Sequence, residues 1–138
     1  MRCSPLAALA IAAVTGLTAG CAPTPSSDDS SGDFKGPQRL VANAVEDLQS
    51  AAADSDEGKI CRDVLARSLA DRLAARGGCA KVVDGAIKDA DTFDIAVQSV
   101  TITGDRATAR VKSETGTKDR IATLKLVRER GAWRIAGL

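Results

Sequence analysis

The residues of this chain most able to do chemistry are its cysteines, because the sequence contains no histidine and no tyrosine. Histidine is the commonest general base and metal ligand in proteins, so its absence removes much of the usual catalytic repertoire. Cys21 follows the small residues Ala19 and Gly20, while Cys61 and Cys79 stand apart from it further along the chain. Thiol acylation and disulfide formation are therefore the first reactions to consider.

The segment before Cys21 has the pattern of a lipoprotein signal peptide. Residues 6–14 are apolar, and this run is too short to span a bilayer as a mature helix. Residues 17–21 resemble the bacterial lipobox, in which the cysteine thiol receives a diacylglyceryl group and the chain is cut just before it. Thr18 stands where that pattern usually has a large apolar residue. We predict a signal peptide over residues 1–20, which includes Cys3, and lipid attachment at Cys21; a secretory peptide cut elsewhere is the alternative.

The predicted modification would decide where the protein resides. Two acyl chains, such as palmitate, hold a protein stably on a membrane, whereas one chain binds only reversibly. The prediction therefore places the protein on the outer, extracytoplasmic face of the cell membrane. Residues 21–33 contain Pro, Ser, Gly and Asp but no large apolar side chain, so we predict a disordered tether between the lipid and the domain.

Residues 34–138 are predicted to form one small domain, large enough for a single core. Its charge is unevenly distributed along the chain. Residues 21–103 contain 9 Lys and Arg against 14 Asp and Glu, a difference of −5, and residues 104–138 contain 9 against 4, a difference of +5. The chain therefore has an acidic first part and a basic second part.

Hydrophobic periodicity predicts helices in the first part of the domain. Apolar residues recur every three or four positions over 40–52, after Pro37, which suits a first helical turn. Asp54-Ser55-Asp56 ends this helix and offers caps for a second one over 60–65. Ser68, three residues before Asp71, is predicted as the N-cap of a third helix. Gly77-Gly78 would separate that helix from a fourth over 82–87.

From Phe93 onward, apolar residues alternate with polar ones, which predicts four antiparallel strands in a meander. The parity shifts at Gln98-Ser99, as at a β-bulge that bends a strand. Turns are predicted at Gly104-Asp105, around Gly116 and at Arg130-Gly131. The predicted fold class is α+β, with N-terminal helices followed by a curved antiparallel β-meander.

Cys61 and Cys79 are the other two cysteines of the predicted mature chain. Their number is even and the predicted compartment is oxidising, so a disulfide is the expected state. A straight helix would separate them by roughly 25 Å, whereas a disulfide needs Cα atoms within about 7 Å. The chain must therefore fold back between them, with Ser68 at the corner. A reactive thiol pair and a metal site remain alternatives, although the spacing is not Cys-x-x-Cys.

These features together resemble the small actinobacterial lipoproteins with a nuclear-transport-factor-2-like (cystatin-like) domain. The lipobox and the acidic Ser/Pro tether carry the resemblance, with the Cys61 and Cys79 placement and the final segment 131–135, Gly-Ala-Trp-Arg-Ile. The resemblance covers roughly residues 34–138 and implies a strongly bent sheet wrapped around a helix, sometimes enclosing a pocket. Such a fold does not settle function.

Catalysis is not expected from these residues. Enzymes similar to this fold use a cavity carboxylate with a Tyr or His partner, and both partner types are absent here. No Gly-x-Ser-x-Gly elbow and no phosphate loop occur. Asp94, at the start of the first strand, is the acid to consider as a catalytic group, although a solvated position is the ordinary outcome. We predict no catalytic residue, no metal and no cofactor, with Trp133 in the core.

The basic residues of the sheet suggest a docking surface. Arg106, Arg110 and Lys112 should share one face of a strand, with Lys125 and Arg134 on neighbouring strands. Such a face suits anionic lipid headgroups, an anionic wall polymer or an acidic envelope protein, although it could also be a solvated face. Nucleic acid is not expected because no aromatic residues are interleaved with the charges.

The sequence thus leaves three hypotheses for function, and it leaves the oligomeric state open. The first is a membrane-anchored, non-catalytic docking or accessory module of the cell envelope. The second is a carrier or sensor that binds a small apolar ligand in a closed cavity lined by Val, Leu and Trp133. The third is a degenerate enzyme similar to isomerases or cyclases.

Overall fold

The structure, a computed structural model, describes residues 31–90, 94–115 and 118–138. The predicted signal peptide, Cys21 and residues 22–30 of the predicted tether lie outside the described residues. Within these ranges a 3-10 turn precedes four α-helices, with a π-helix directly after the second, and four strands follow. The elements are the 3-10 turn Ser31–Asp33, α1 Pro37–Ala53, α2 Glu57–Lys59, the π-helix Ile60–Val64, α3 Arg67–Ala74, α4 Cys79–Asp89, β1 Ile95–Thr103, β2 Arg106–Thr115, β3 Lys118–Glu129 and β4 Ala132–Gly137.

The folded part begins slightly earlier than the predicted boundary at residue 34. Ser31 is buried, and its backbone N–H donates to the carboxylate of Glu46 on α1. Phe34 then packs, partly buried, against the core. These contacts fix Ser31–Asp33 onto the domain, so these three residues belong to the domain and not to the predicted tether.

The first helix follows its predicted pattern. Pro37 lies in the first turn of α1, and the buried stripe includes Val41, Ala44 and Val45. Asp56 caps α2, because its side-chain oxygen accepts a hydrogen bond of 2.8 Å from the backbone N–H of Lys59. The predicted break after α1 and the predicted cap for the next helix are therefore confirmed.

The start of α3 differs from the prediction. Ala66, not Ser68, is the N-cap, and Ser68 lies inside the first turn without capping it. Ala66 has this position because its backbone N–H donates to the carbonyl of Ile135 on β4 at 2.8 Å. Leu65 forms an isolated parallel bridge with the same Ile135. A contact with the sheet thus determines where this helix begins.

The four strands form one antiparallel sheet in the order β1-β2-β3-β4. The pairing register shifts between Val97 and Ser99, which confirms the predicted bulge. The last hairpin turns at Arg130 and Gly131, whose φ angles are 51° and 82°. Positive φ at both central residues is the geometry of a type I′ turn, whose twist matches that of the strands.

The core lies between α1 and one face of this sheet. Val41 and Val45 of α1 are fully buried in the same cluster as Leu126 and Trp133 of the sheet. The predicted core position of Trp133 is confirmed. The α+β class, with helices followed by a curved antiparallel meander, is confirmed by the order and pairing of the elements. None of the helices within the described residues is long and apolar enough to cross a membrane.

Candidate functional site

Cys61 and Cys79 are joined in a disulfide, with their Cα atoms 6.1 Å apart. Cys61 lies in the π-helix, and Cys79 is the first residue of α4. Helix α3 lies between the two cysteines in sequence. The chain reverses after this helix at Gly77 and Gly78, whose φ angles are 127° and 105°. The predicted pairing is confirmed, and in this state neither sulfur is a free thiol or a metal ligand.

The predicted basic residues of the sheet lie on the face that points away from α1, which we call the outer sheet face. Thr108 on β2 pairs directly with Lys125 on β3. Because side chains alternate along a strand, Lys125 shares a face with Thr108 and lies between Arg106 and Arg110. All three basic side chains are exposed. None of them has an ion pair within the described residues.

Lys112 shares that face but is neutralised. Its Nζ lies 2.9 Å from a carboxylate oxygen of Asp119 and 3.5 Å from one of Glu114. The hydrogen bond to Asp119 and the charge of this carboxylate raise the pKa of the Lys112 ammonium, and Glu114 adds to the effect. The predicted patch therefore reduces to Arg106, Arg110 and Lys125 as uncompensated cations.

Arg134 does not extend this patch, because its guanidinium is held elsewhere. Arg134 is half-buried, and its Nη1 donates a 2.9 Å hydrogen bond to the backbone carbonyl of Arg62 in the π-helix. This bond ties β4 to the π-helix. Arg134 thus belongs to a different cluster of basic residues, described next.

An open groove of about 580 Å³, which we call the arginine groove, lies beside Cys61 and was not predicted from the sequence. Its basic residues come from four elements that are distant in sequence. Its charged lining residues are Arg62 of the π-helix, Arg67 and Asp71 of α3, Glu129 of β3, Arg130 of the last turn and Arg134 of β4. In the sequence, only Arg130 could have pointed to this groove. It stands before the glycine of the turn, where Asn or Asp is the usual residue.

Besides Arg134, two more of these side chains are engaged within the protein. The carboxylate of Glu129 accepts from the backbone N–H of Arg67 at 3.2 and 3.3 Å, which caps the start of α3. The guanidinium of Arg62 lies over Gly58, with Nη1 3.0 Å from the point where a Cβ atom would be. Gly58 therefore leaves the space that Arg62 occupies.

Asp94, the acid considered for catalysis, does not lie in the interior. It is half-buried in a small hollow of about 140 Å³, together with Ala96, Lys112 and Glu114. Within the described residues, the core contains no carboxylate, and Ser31 is its one buried polar residue. No group of three or more potential metal ligands occurs in this part of the chain.

Trp133 lines a second open groove, of about 280 Å³, against α1. Leu40, Ala44 and Asp47 form the helical side of this groove. Leu40 is a large apolar residue, and it is 54% exposed. The carrier hypothesis predicted a closed cavity around Trp133, and the structure has an open groove at that position.

No protein-family model matches the chain, and no curated protein matches it. Among solved structures, the chain is similar to a SEC-C motif containing protein from Rhodopseudomonas palustris, with 16% identity and a TM-score of 0.53 over 72% of this chain and 74% of that one. An NTF2 variant has 16% identity and a TM-score of 0.48 over 69% of this chain and 90% of its own. A de novo designed NTF2-fold protein has 12% identity and a TM-score of 0.45 over 72% and 80%. At these identities the likeness concerns the fold alone, and the observed helices followed by a curved antiparallel sheet have the α+β architecture expected from the sequence.

Proposed function

We propose that this protein is a non-catalytic accessory protein of the cell envelope, related to the small actinobacterial lipoproteins. In this proposal, lipid at Cys21 anchors it to the extracytoplasmic face of the membrane, and the outer sheet face docks on anionic lipid headgroups. The observation that supports docking is the triangle of exposed, unpaired cations formed by Arg106, Arg110 and Lys125.

The spacing of these cations suits a flat anionic surface. Arg106 and Arg110 are four residues apart on one strand, or about 13 Å, and Lys125 lies on the next strand about 5 Å away. Each basic residue near an anionic membrane contributes about 1 kcal/mol, and this attraction decays over a Debye length of about 8 Å at physiological salt. Three cations on one rigid face can therefore reach the same layer of headgroups together.

The lipid anchor is the reason to favour headgroups over other anionic partners. A protein attached through Cys21 would keep its domain beside the membrane, so a weak electrostatic contact would act at high local concentration. An anionic wall polymer and an acidic envelope protein have the same charge chemistry. They are the alternative occupants that the experiment below separates.

The docking test is sedimentation of the folded domain with vesicles of phosphatidylcholine, with and without phosphatidylglycerol. The triple variant Arg106→Glu, Arg110→Glu, Lys125→Glu should lose binding to the anionic vesicles and keep its melting temperature, because these side chains are exposed and unpaired. The control is Lys112→Gln, which removes a cation already neutralised by Asp119. Equal binding of the triple variant and the wild type would reject headgroup docking by this face.

The anchor is tested separately on the full chain expressed in a bacterium that processes lipoproteins. The membrane fraction should contain a species with a diacylglyceryl mass on Cys21, and Cys21→Ala should remove both the added mass and the membrane association. An unmodified Cys21 in the secreted wild type would reject the anchor. The same mass spectrum tests the carrier hypothesis, although the groove beside Trp133 is open and is not the closed cavity that this hypothesis predicted. A discrete extra mass that leaves on activation would support it.

A further inference from the structure

We propose that the arginine groove is a binding site for a phosphate group, separate from the outer sheet face and not required for membrane anchoring. The groove is an open cavity of about 580 Å³, lined by arginines that four different elements bring together. Within the described residues, no carboxylate forms an ion pair with these guanidinium groups.

The charge of the groove favours an anionic ligand. Four arginines and two carboxylates line the groove, which leaves a difference of +2. Both carboxylates are within the lining, yet the described residues contain no ion pair between them and the arginines. Glu129 instead accepts the backbone N–H of Arg67, so part of its charge is already compensated by the start of α3. Positive potential thus remains inside a concave surface, where low-dielectric walls concentrate it.

One arginine side chain of the groove is already held in position. Arg134 is held by its hydrogen bond to the carbonyl of Arg62, so one guanidinium is fixed before any ligand arrives. That bond uses Nη1 and leaves the other N–H groups of the fork for a further acceptor. Arg67, at the start of α3, lines the same groove. A fixed cation and a second cation from another element therefore line one site.

Arg130 has an uncommon backbone conformation. This residue has a φ of 51°, a left-handed conformation that glycine and asparagine adopt far more readily than a long side chain. The turn itself would be better served by Asn-Gly. Arginine at this position is therefore costly for the turn, and the residue lines the groove. Residues held in uncommon backbone regions concentrate at functional sites.

Phosphate is the anion that best matches this arrangement. A carboxylate has one charge and two oxygens, which a single arginine satisfies in a bidentate pair. A phosphate group has more acceptor oxygens and up to two charges, so it can engage Arg67, Arg130 and Arg134 at once. The groove is also open, so a substituent attached to the phosphate can extend into solvent.

The test is a titration of the folded, disulfide-bonded domain with inorganic phosphate and with glycerol 3-phosphate, followed by amide chemical shifts. The background is the triple glutamate variant of the outer sheet face, so that this face does not contribute. We expect shifts at Arg67, Arg130 and Arg134. Each charge-assisted contact that is removed should weaken binding by roughly 10-fold or more.

Arg130→Asn is the decisive variant, because a purely structural role and a binding role predict different results. Asparagine suits the left-handed position, so the melting temperature should rise while phosphate affinity falls. Arg67→Gln should lower the affinity and leave the melting temperature nearly unchanged. Arg76→Gln is the matched control, because Arg76 lies just after the end of α3 and outside the groove. This variant should bind like its parent.

The proposal is overturned if neither phosphate compound shifts the groove amides at millimolar concentration, or if Arg130→Asn binds like its parent. A second arm identifies the source of the phosphate. Vesicles containing phosphatidylglycerol should displace glycerol 3-phosphate if the natural ligand is a lipid headgroup, and should leave it bound if the ligand is a soluble phosphate ester. Because the outer sheet face is already inactivated in this background, the outcome does not depend on whether that face docks on membranes.

Discussion

The carboxylate of Glu129 on β3 accepts the backbone N–H of Arg67 at the start of α3, although 62 residues separate them in sequence. A helix begins with backbone N–H groups that have no partner within the helix, and a nearby side chain usually accepts one of them. Here the acceptor comes from the end of a strand. The contact joins the helical part to the sheet at the edge of the arginine groove.

Replacing Glu129 by alanine should lower the free energy of unfolding by about 1 kcal/mol, the usual cost of losing an N-cap. Glu129→Gln should cost less, because the amide oxygen can still accept while the charge at the helix start is lost. Urea denaturation measures both effects. The control is Ser68→Ala, which should change stability by no more than about 0.5 kcal/mol because Ser68 caps nothing. A larger effect at Ser68 than at Glu129 would contradict this assignment of the cap.

Removing the disulfide should destabilise the domain substantially. The bond closes a loop between residues 18 positions apart, for which the loop-entropy model gives about 3 kcal/mol. The double variant Cys61→Ser, Cys79→Ser should therefore unfold at lower urea concentration than the oxidised wild type. The wild type in excess dithiol reductant is the matched control and should behave like the variant. Unchanged unfolding in reductant would mean that the bond contributes little.

The ion pair of Lys112 makes a prediction about pH. Asp119 and Glu114 raise the pKa of Lys112 above its ordinary value of 10.5. A raised pKa means that the folded state binds the proton more tightly than the unfolded state, so the contribution to stability is complete below pH 10.5 and is lost as pH rises through the raised value. Urea midpoints measured across this alkaline range should fall.

The control for this effect is Asp119→Asn, which removes its main cause. The alkaline fall in the urea midpoint should be smaller in this variant than in the wild type. Lys88, whose pKa is also raised by a hydrogen bond to Asp84, should contribute the same residual fall to both proteins. Identical pH profiles for the two proteins would show that the pair is not formed in solution.

Leu126 should be the most sensitive position of β3. It is 1% exposed in the core, and truncation of a buried leucine to alanine typically costs about 2–5 kcal/mol. Ile121→Ala on the same strand is the matched control, because Ile121 is 55% exposed and should change stability by less than about 0.5 kcal/mol. Thermal denaturation followed by the fluorescence of Trp133, the single tryptophan, reports both. Similar losses of stability for the two variants would contradict the assignment of Leu126 to the buried face of β3 and of Ile121 to its exposed face.

Local sequence patterns predicted much of the fold because they depend on neighbouring residues. Pro37 before a periodic apolar run, paired glycines at 77–78 and the parity shift at Gln98-Ser99 each specify backbone geometry within a few positions. The pairing of Cys61 with Cys79 followed from their number and from the predicted oxidising compartment, and it required a chain reversal between them. These expectations agree with the observed elements and disulfide.

The features that the sequence did not predict depend on contacts between distant residues. Ser68 had the spacing of a local cap, but pairing of Ala66 with Ile135 moved the helix start and Glu129 became the acceptor. Lys112 appeared to be a free cation until the hairpin register brought Asp119 beside it. The arginine groove is assembled from four separate elements, so no single sequence window contains it.

The parallel bridge between Leu65 and Ile135 has a consequence for how these molecules tolerate crowding. A terminal strand such as β4 exposes backbone groups that can template strand addition from another chain, which is a route to aggregation. Here the carbonyl of Ile135 already accepts a hydrogen bond from the N–H of Ala66, and Leu65 pairs with the same residue of β4. The segment before α3 therefore covers this edge of the sheet at Ile135. Many copies held side by side at high density would meet a blocked strand at this margin of the sheet.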